Sequence, residues 1–301
     1  PLNKISATRS YGGEIILKGE IYDDAFEYAK ELEKKEGYTF VHPYQDSHII
    51  AGQGTIGLEI LTQLQDVDSV IVPIGGGGLI SGIGVAIKTL KPSCKIFGVQ
   101  SEQTPGMSQL FKHQSPETKS KRITTIADGI AIKKPSPEMH SQFISKYVDD
   151  IVTVSDDEIA EAIVYLVERM KTVTEGSGAT AFAALMKHKL DYGKNVCVVL
   201  SGGNIDLNIV SKVIERGQIT RGRLAKMSVV VEDMPGNLQK LTQIIAMEKA
   251  NILEVNHDRL THGLSLRETR IDFFLETNSF DQIKRIEAGI EKIGGKVLHT
   301  A

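Results

Sequence analysis

The sequence predicts an α/β chain in two parts, a parallel β/α layered core followed by a small α+β unit. Three observations predict it. From residue 13 to residue 215, short runs rich in Ile and Val alternate with longer stretches of helical period, the pattern of parallel layering. One such run, residues 70–73, leads into four consecutive glycines, then a stretch with Leu79, Ile80, Ile83, Ile87 and Leu90 at helical spacing, then a second apolar run at 95–99. Together these read as a βαβ crossover. Finally, residues 216–223 hold two glycines and three arginines with little apolar content, which marks a domain edge.

Each element follows from local pattern. Residues 13–18 read as a strand, 23–36 as a helix with Phe26, Ala29 and Leu32 on one face and Gly37 ending it. A short strand is expected at 38–41 and a helix at 55–64. Beyond the crossover, Ser155 and Glu158 form a capping box for a helix carrying Ile159, Ile163, Leu166, Val167 and Met170. A strand at 195–200, a turn at 201–204 and a helix at 206–215 complete the first part. The second part reads strand 227–232, helix 235–246, strand 251–257, strand 268–276, helix 280–293 and strand 296–299. This βαββαβ order is the ferredoxin-like layout. The expected division is therefore 1–222 and 223–301, and a length of 301 residues agrees with two domains.

Composition excludes several function classes. With 35 Lys plus Arg against 38 Asp plus Glu the net charge is 35 − 38 = −3, without a like-charged block, so nucleic acid is not an expected partner. The apolar stretches at 69–74 and 79–90 fall short of the roughly 20 residues a bilayer requires. No basic leader with an apolar core is visible, and Cys94 and Cys197 are far apart, as in a reducing cytoplasm. Cys197, in an apolar run, reads as a core residue rather than a nucleophile. His257 and His262 have no acidic or cysteine partner at ligand spacing and read as a polar hairpin.

The chemistry is concentrated in the glycines. Gly75, Gly76, Gly77 and Gly78 follow a buried strand and precede a helix, where backbone N–H groups and the helix N-terminus together bind an anion. A permissive turn needs one glycine, not four, each with an entropic cost. The run is expected to hold a phosphate. It is not a dinucleotide fingerprint, because Leu79 follows and no acid stands in the ribose position. Glu102, two residues beyond the strand 96–100, keeps a nucleotide-dependent oxidoreductase as an alternative.

Three stretches resemble the threonine/serine dehydratase family of fold type II pyridoxal-phosphate enzymes: V-I-V-P-I-G-G-G-G-L-I-S-G at 70–82, A-G-Q-G-T-I-G-L-E at 51–59 and L-S-G-G-N at 200–204. The resemblance implies a parallel-sheet core that binds pyridoxal 5'-phosphate. Its glycine loop would hold the cofactor phosphate, here Gly75, Gly76, Gly77, Gly78 and Leu79. The serine of the S-G-G-N turn, here Ser201, would hydrogen-bond the pyridine nitrogen. Asp128-Gly129 and E-G-S-G at 175–178 also fit the family, as residues lining the site or as turn and helix-start chemistry. The implied reaction is β-elimination of water from threonine or serine, giving a 2-oxo acid and ammonia.

The family's Schiff-base lysine lies in an S-x-K-x-R-G segment, followed by an S-x-G-N-H loop for the substrate carboxylate. Neither motif is in this sequence, so no catalytic lysine is assigned to it. Ser93-Cys94-Lys95 is the nearest S-x-K and reads as the start of a strand. In the family the segment resembling 1–17 follows both motifs, so an N-terminal stretch of roughly one hundred residues, a sub-domain, is expected to be missing. Such a fragment would be inactive alone. Some relatives bind a divalent cation through an acid at the position of Ser108, so no metal is expected.

The second part resembles an ACT domain, a ligand-sensing module, through D-M-P-G-N-L at 233–238 and Leu241. That resemblance implies allosteric control by a small effector near Gly236 and Asn237, a branched-chain amino acid or a nucleotide, at an interface between copies of a homo-oligomer. It places the protein in amino-acid metabolism, with isoleucine biosynthesis among the routes. Pro235 is expected in the first helical turn, and the amide of Asn237 is expected to meet the ligand. A non-catalytic amino-acid sensor is the remaining alternative.

Overall fold

The structure is a computed structural model that describes residues 2–19, 22–116, 124–187, 190–259 and 263–299. The chain forms two compact units, Pro1–Ile209 and Val210–Ala301.

In the first unit, helices α1 (Leu2–Ser10), α2 (Tyr22–Glu36) and α3 (Ser47–Gln63) precede strand β1 (Ser69–Pro73), α4 (Gly78–Leu90), β2 (Lys95–Ser101) and α5 (Gly106–Phe111). A 3₁₀ turn at Asp128–Ile130 and a broken helix follow, the latter made of α6 (Pro137–Met139), a π segment (His140–Ile144) and α7 (Ser145–Tyr147). Then come β3 (Asp150–Val154), α8 (Asp156–Tyr165) with a π extension at Leu166–Met170, α9 (Gly176–Lys187) and β4 (Val196–Val198); the next helix, α10 (Leu207–Ile219), runs across the division at 209/210. The four strands form one parallel sheet in the order β3-β2-β1-β4.

Every residue of β1 is buried, which is why its sequence is a continuous apolar run rather than an alternating one. Val70, Val72 and Ile74 join the cluster formed with Ile50, Ile80, Ile83 and Ile87 of α3 and α4. Ile71, turned to the other face, lies on the side that α9 covers. Ala179, Ala181, Ala183 and Ala184 are all buried there, and small side chains let that helix lie close to the strands. The expected capping box holds: Ser155 Oγ accepts from Glu158 N (3.3 Å) and Glu158 Oε2 accepts from Ser155 N (2.8 Å).

Two expected strands are not formed. Residues 13–18 and 38–41 are irregular, since among the described residues neither finds a neighbouring strand to complete its backbone hydrogen bonds. The helix expected at 55–64 starts eight residues earlier, because Asp46 caps it by accepting from His48 N (2.8 Å) and Ile49 N (3.4 Å).

The second unit contains β5 (Leu224–Glu232), α11 (Asn237–Met247), β6 (Asn251–Asp258), β7 (Glu268–Glu276), α12 (Phe280–Lys292) and β8 (Lys296–His299). This is the βαββαβ order expected, and the antiparallel sheet runs β6-β7-β5-β8. Ala225, Met227, Val229 and Val231 alternate inward to meet Ile271, Phe273 and Leu275, and Leu241, Ile245, Ile286 and Ile290 of the two helices close over them. Pro235 does not enter the helix. Gly236 caps α11 in the left-handed conformation (φ 92°), which places the helix start at Asn237. Residues 216–223, expected as a domain edge, are the last turn of α10 and the turn after it, and they lie within the second unit, which begins at Val210.

Candidate functional site

The strand order carries a reversal. The chain moves outward from β1 to β2 and β3, then crosses to place β4 on the other side of β1. Loops leaving such neighbours at their C-terminal ends diverge, and the crevice between them is where open α/β sheets bind ligands. Here the two loops are the glycine run after β1 and residues 199–204 after β4. They leave the sheet side by side, since Val199 N still donates to Ile71 O (3.0 Å).

The glycine run is held from two sides. Added β-carbons at Gly76 and Gly78 would stand 2.3 Å and 2.9 Å from atoms of Tyr44, and one at Gly75 would stand 2.9 Å from Ile130 Cα. Gly77 has φ +97°, a conformation that disfavours any β-carbon. Packing therefore explains why all four are glycine. It does not explain their amides. Among the described residues, the N–H groups of Gly75, Gly76, Gly77, Gly78 and Leu79 have no hydrogen-bond acceptor, although Gly76–Gly78 are buried. Buried donors are rarely left unmet, and a run of them at the start of a 13-residue helix is the donor set a phosphate requires.

On the other side, Ser201 caps no helix, because α10 begins only at Leu207. Its side chain is exposed and makes no hydrogen bond among the described residues. The turn that follows it rests on the start of α9: Glu175 N donates to Gly202 O (3.0 Å), and β-carbons at Gly178 and Gly202 would stand 2.6 Å from Gly202 O and 2.5 Å from Glu175 Oε1. The two loops are bridged by residues 126–130. Gly129 lies against Ser177 Oγ, with 2.9 Å to an added β-carbon, while Ile130 meets Gly75. Asp156, at the start of α8, fixes this bridge by accepting from Thr125 Oγ1 (2.6 Å) and Ile126 N (3.2 Å).

So the structure brings together Gly75–Leu79, Ser201, Asp128-Gly129 and the 175–178 segment, all singled out in the sequence. It adds three residues that sequence reasoning missed, Tyr44, Ile130 and Thr174. Tyr44 and Ile130 wedge the glycine run, and the hydroxyl of Thr174, like that of Ser177, is buried without a partner among the described residues. The A-G-Q-G-T-I-G-L-E stretch lies on α3, where Gly57 and Gly54 let the backbone approach α4; β-carbons there would stand 3.0 Å from Ile83 O and 3.2 Å from Gly82 O. Its signal was glycine spacing on one helix face, and its work is to fix the helix that opens at the loop.

Other candidates lie elsewhere. Lys95 starts β2, at the N-terminal ends of the parallel strands and so at the end of the sheet opposite the crevice, where it pairs with Asp191 (3.0 Å). Glu102 is exposed beyond β2, one strand away from the reversal. Cys197 packs against the core and burial pushes its thiol upward, away from the nucleophilic thiolate. Ser108 is buried, its N–H donating to Gln100 Oε1 (2.8 Å). His257 lies on β6, and His262 is outside the described residues. In the second unit, Gly236 has open space around it, but Asn237 differs from expectation: its Nδ2 already donates to Glu232 O (2.9 Å) and its Oδ1 accepts from Lys240 Nζ (3.4 Å).

Residues 1–202 match the family described as pyridoxal-phosphate dependent enzyme. The chain belongs to this family. Within it, the chain is 45% identical to the L-threonine ammonia-lyase of Thermotoga maritima over 95% of its own length and 71% of that protein. It is 43% identical to the L-threonine ammonia-lyase of Geobacter sulfurreducens, over 98% of this chain and 73% of that one. Among solved structures, the processed form of threonine deaminase isoform 2 from Solanum lycopersicum superposes with a TM-score of 0.65 at 33% identity; the match covers 73% of this chain and 61% of that chain. The family's cofactor is pyridoxal 5'-phosphate. The crevice fits it: a row of unmet amides suits the phosphate, and a free hydroxyl stands on the neighbouring loop.

Proposed function

We propose that the protein is a pyridoxal-phosphate-dependent threonine ammonia-lyase, which eliminates water from threonine, or serine, and releases a 2-oxo acid and ammonia. The observation that carries the reading is the pairing, across the β1/β4 reversal, of five unmet N–H groups with the turn of Ser201. It is supported by identity of 43–45% to L-threonine ammonia-lyases along nearly the whole chain.

In this reading, Gly75, Gly76, Gly77, Gly78 and Leu79 hold the phosphate through backbone N–H groups. Hydrogen bonds to a charged acceptor contribute about 1.5–3 kcal/mol each, so two or three exceed the roughly 0.5–1 kcal/mol that each glycine costs. Ser201 hydrogen-bonds the pyridine nitrogen. A hydroxyl does not hold a proton on that nitrogen as a carboxylate would, which limits charge build-up on the ring and suits elimination. Bound there, the cofactor supplies the conjugated electron sink that lets the α-proton and the β-hydroxyl of the amino acid leave. Glu175 and the 126–130 bridge keep the two loops in register.

The second unit is a regulatory ACT-type module in the same proposal, with 1–222 as the catalytic part, 223–301 as the sensor and an effector near Gly236 and Asn237. Because the Asn237 amide is engaged and its backbone N–H donates to Met234 O (3.3 Å), the backbone N–H groups of Leu238 and Gln239 are the donors for an effector carboxylate. The working form is a cytoplasmic homo-oligomer. The test is to assay the gene product that carries these residues, with pyridoxal phosphate, for 2-oxobutanoate and ammonia from threonine, and for pyruvate from serine. Equimolar 2-oxobutanoate and ammonia are expected. A protein that binds the cofactor yet releases neither product from either amino acid would overturn the assignment.

A further inference from the structure

We propose that His42 is a positioning residue for the phosphate loop, and that its protonation releases Tyr44 from the glycines and loosens the grip on the cofactor. The inference rests on the reading of Gly75–Leu79 as the phosphate site. Tyr44 is the wedge on that loop. A β-carbon on Gly76 would fall 2.3 Å from its ring, and one on Gly78 would fall 2.9 Å from its backbone. What sets Tyr44 is the imidazole two residues earlier. His42 Nδ1 accepts from Tyr44 N (3.3 Å) and from Gln45 N (3.0 Å), closing the turn, and the ring meets Tyr44 edge to face at 4.5 Å. On its other side the imidazole packs on Phe26 and Phe40, at 5.7 Å and 6.0 Å. The turn is tied down on both flanks, by Gln45 Nε2 donating to Ser136 Oγ and by Asp46 capping α3.

The geometry demands one protonation state. An Nδ1 that accepts two N–H groups is unprotonated, so the ring is the neutral Nε2–H tautomer. An imidazolium carries hydrogen on both nitrogens and would face two donors with a third. The charged groups facing His42 are Lys30 of α2, itself paired with Glu33 (2.6 Å), and Asp46 of its own turn, which pairs with His48. Burial first, then Lys30, favours the neutral ring, while Asp46 opposes them. Because the ring is held below the ordinary imidazole value in the folded protein, the turn is whole at neutral pH and above. It is lost as the pH falls through that lowered value.

The test measures equilibrium affinity for pyridoxal phosphate, by its visible absorbance, from pH 8 to pH 5 in the gene product and in His42→Asn and His42→Ala. The asparagine oxygen can accept the same N–H groups and does not titrate. We expect acidification to weaken the wild type about tenfold more than His42→Asn, the scale of one to two lost hydrogen bonds. The cofactor's own phosphate titration is common to both proteins and cancels. His42→Ala should be weak at pH 8, and His42→Asn should restore most of that loss. Equal pH profiles for wild type and His42→Asn, with Gly77→Asp still abolishing binding, would overturn the role of His42 alone. Binding that survives Gly77→Asp would instead sink the phosphate assignment beneath it. Should His42→Ala not fold, the comparison of wild type with His42→Asn decides.

Discussion

At Gly77 two independent requirements meet. Its φ of +97° excludes a β-carbon without strain of about 1–3 kcal/mol, and its amide belongs to the unmet row. Gly77→Ala and Gly77→Asp separate them. Alanine should lower the urea-unfolding free energy by about 1–3 kcal/mol while leaving measurable cofactor binding. Aspartate adds like charge beside a phosphate, and should abolish the visible absorbance of bound cofactor in protein that remains folded by circular dichroism. Ser201→Ala removes a single hydroxyl contact and should act more mildly, weakening cofactor binding by about tenfold or less, since a neutral hydrogen bond contributes about 0.5–1.5 kcal/mol. A Ser201→Ala protein as empty as Gly77→Asp would contradict that ranking. The glycine run was legible in the sequence from its place between a buried strand and a helix, and Ser201 only through the resemblance of its S-G-G-N turn to the dehydratase family. Tyr44 and His42 were not, since nothing local says that residues 42–45 return to residues 76–78.

Elements depend on close backbone approach, and glycine decides it. A β-carbon on Gly82 would lie 2.3 Å from Ile50 O and 2.6 Å from Gly54 N, backbone atoms of α3 that cannot turn aside. Alanine gains about 1 kcal/mol in helix propensity, but overpacking costs typically 1–3 kcal/mol, so Gly82→Ala should be destabilising. Gly52, on the far side of α3, has nothing within 4 Å of an added β-carbon. Gly52→Ala should stabilise by about 0.4–1 kcal/mol. Opposite signs in urea denaturation would verify the α3–α4 contact; equal signs would refute it. The β1–β4 pair that frames the crevice has its own tether. Asp68 Oδ2 accepts from Lys194 N (2.8 Å) and Asn195 N (2.9 Å), and these bonds hold the carboxyl below its usual range. The stabilisation is therefore present above the ordinary carboxylate value and lost as the pH falls through the lowered one. Wild type should exceed Asp68→Asn in urea midpoint at pH 7, and the gap should close toward pH 3. A constant gap would mean that the charge is not involved.

For the whole molecule the question is whether the second unit senses anything. Regulation requires an effector that binds one arrangement of the protein better than another, so it must move the substrate response. In the intact gene product, isoleucine, valine, threonine and AMP are the compounds to titrate, with heat and the threonine saturation curve as readouts. A branched-chain amino acid is expected to shift half-saturation by about 5-fold or more, the lower end of usual coupling. Absence of heat and of any shift with all four would leave 223–301 without a sensing role. Gly236→Ala tests the location: with φ 92° and open surroundings it strains the backbone at the proposed donors, and it should weaken the effector response.

The sequence by itself determined the β1-α4-β2 crossover, the βαββαβ order of the second part and the glycine run between β1 and α4. Each is a local pattern: a buried strand is apolar throughout, a helix repeats every 3.6 residues, and a glycine run strips β-carbons from the backbone wherever it sits. Tertiary structure alone decided the rest. Residues 13–18 and 38–41 carry strand composition yet stay irregular, because a strand exists only with a neighbour and composition does not supply one. The strand order β3-β2-β1-β4, which sets the loops of Gly75 and Ser201 side by side, is a pairing among segments far apart in the chain. So is the bridge from Gly129 to Ser177 and from Ile130 to Gly75. Such contacts are fixed by the pairing of β1 between β2 and β4 and by α9, which packs along all four strands, a property no single segment of the sequence contains.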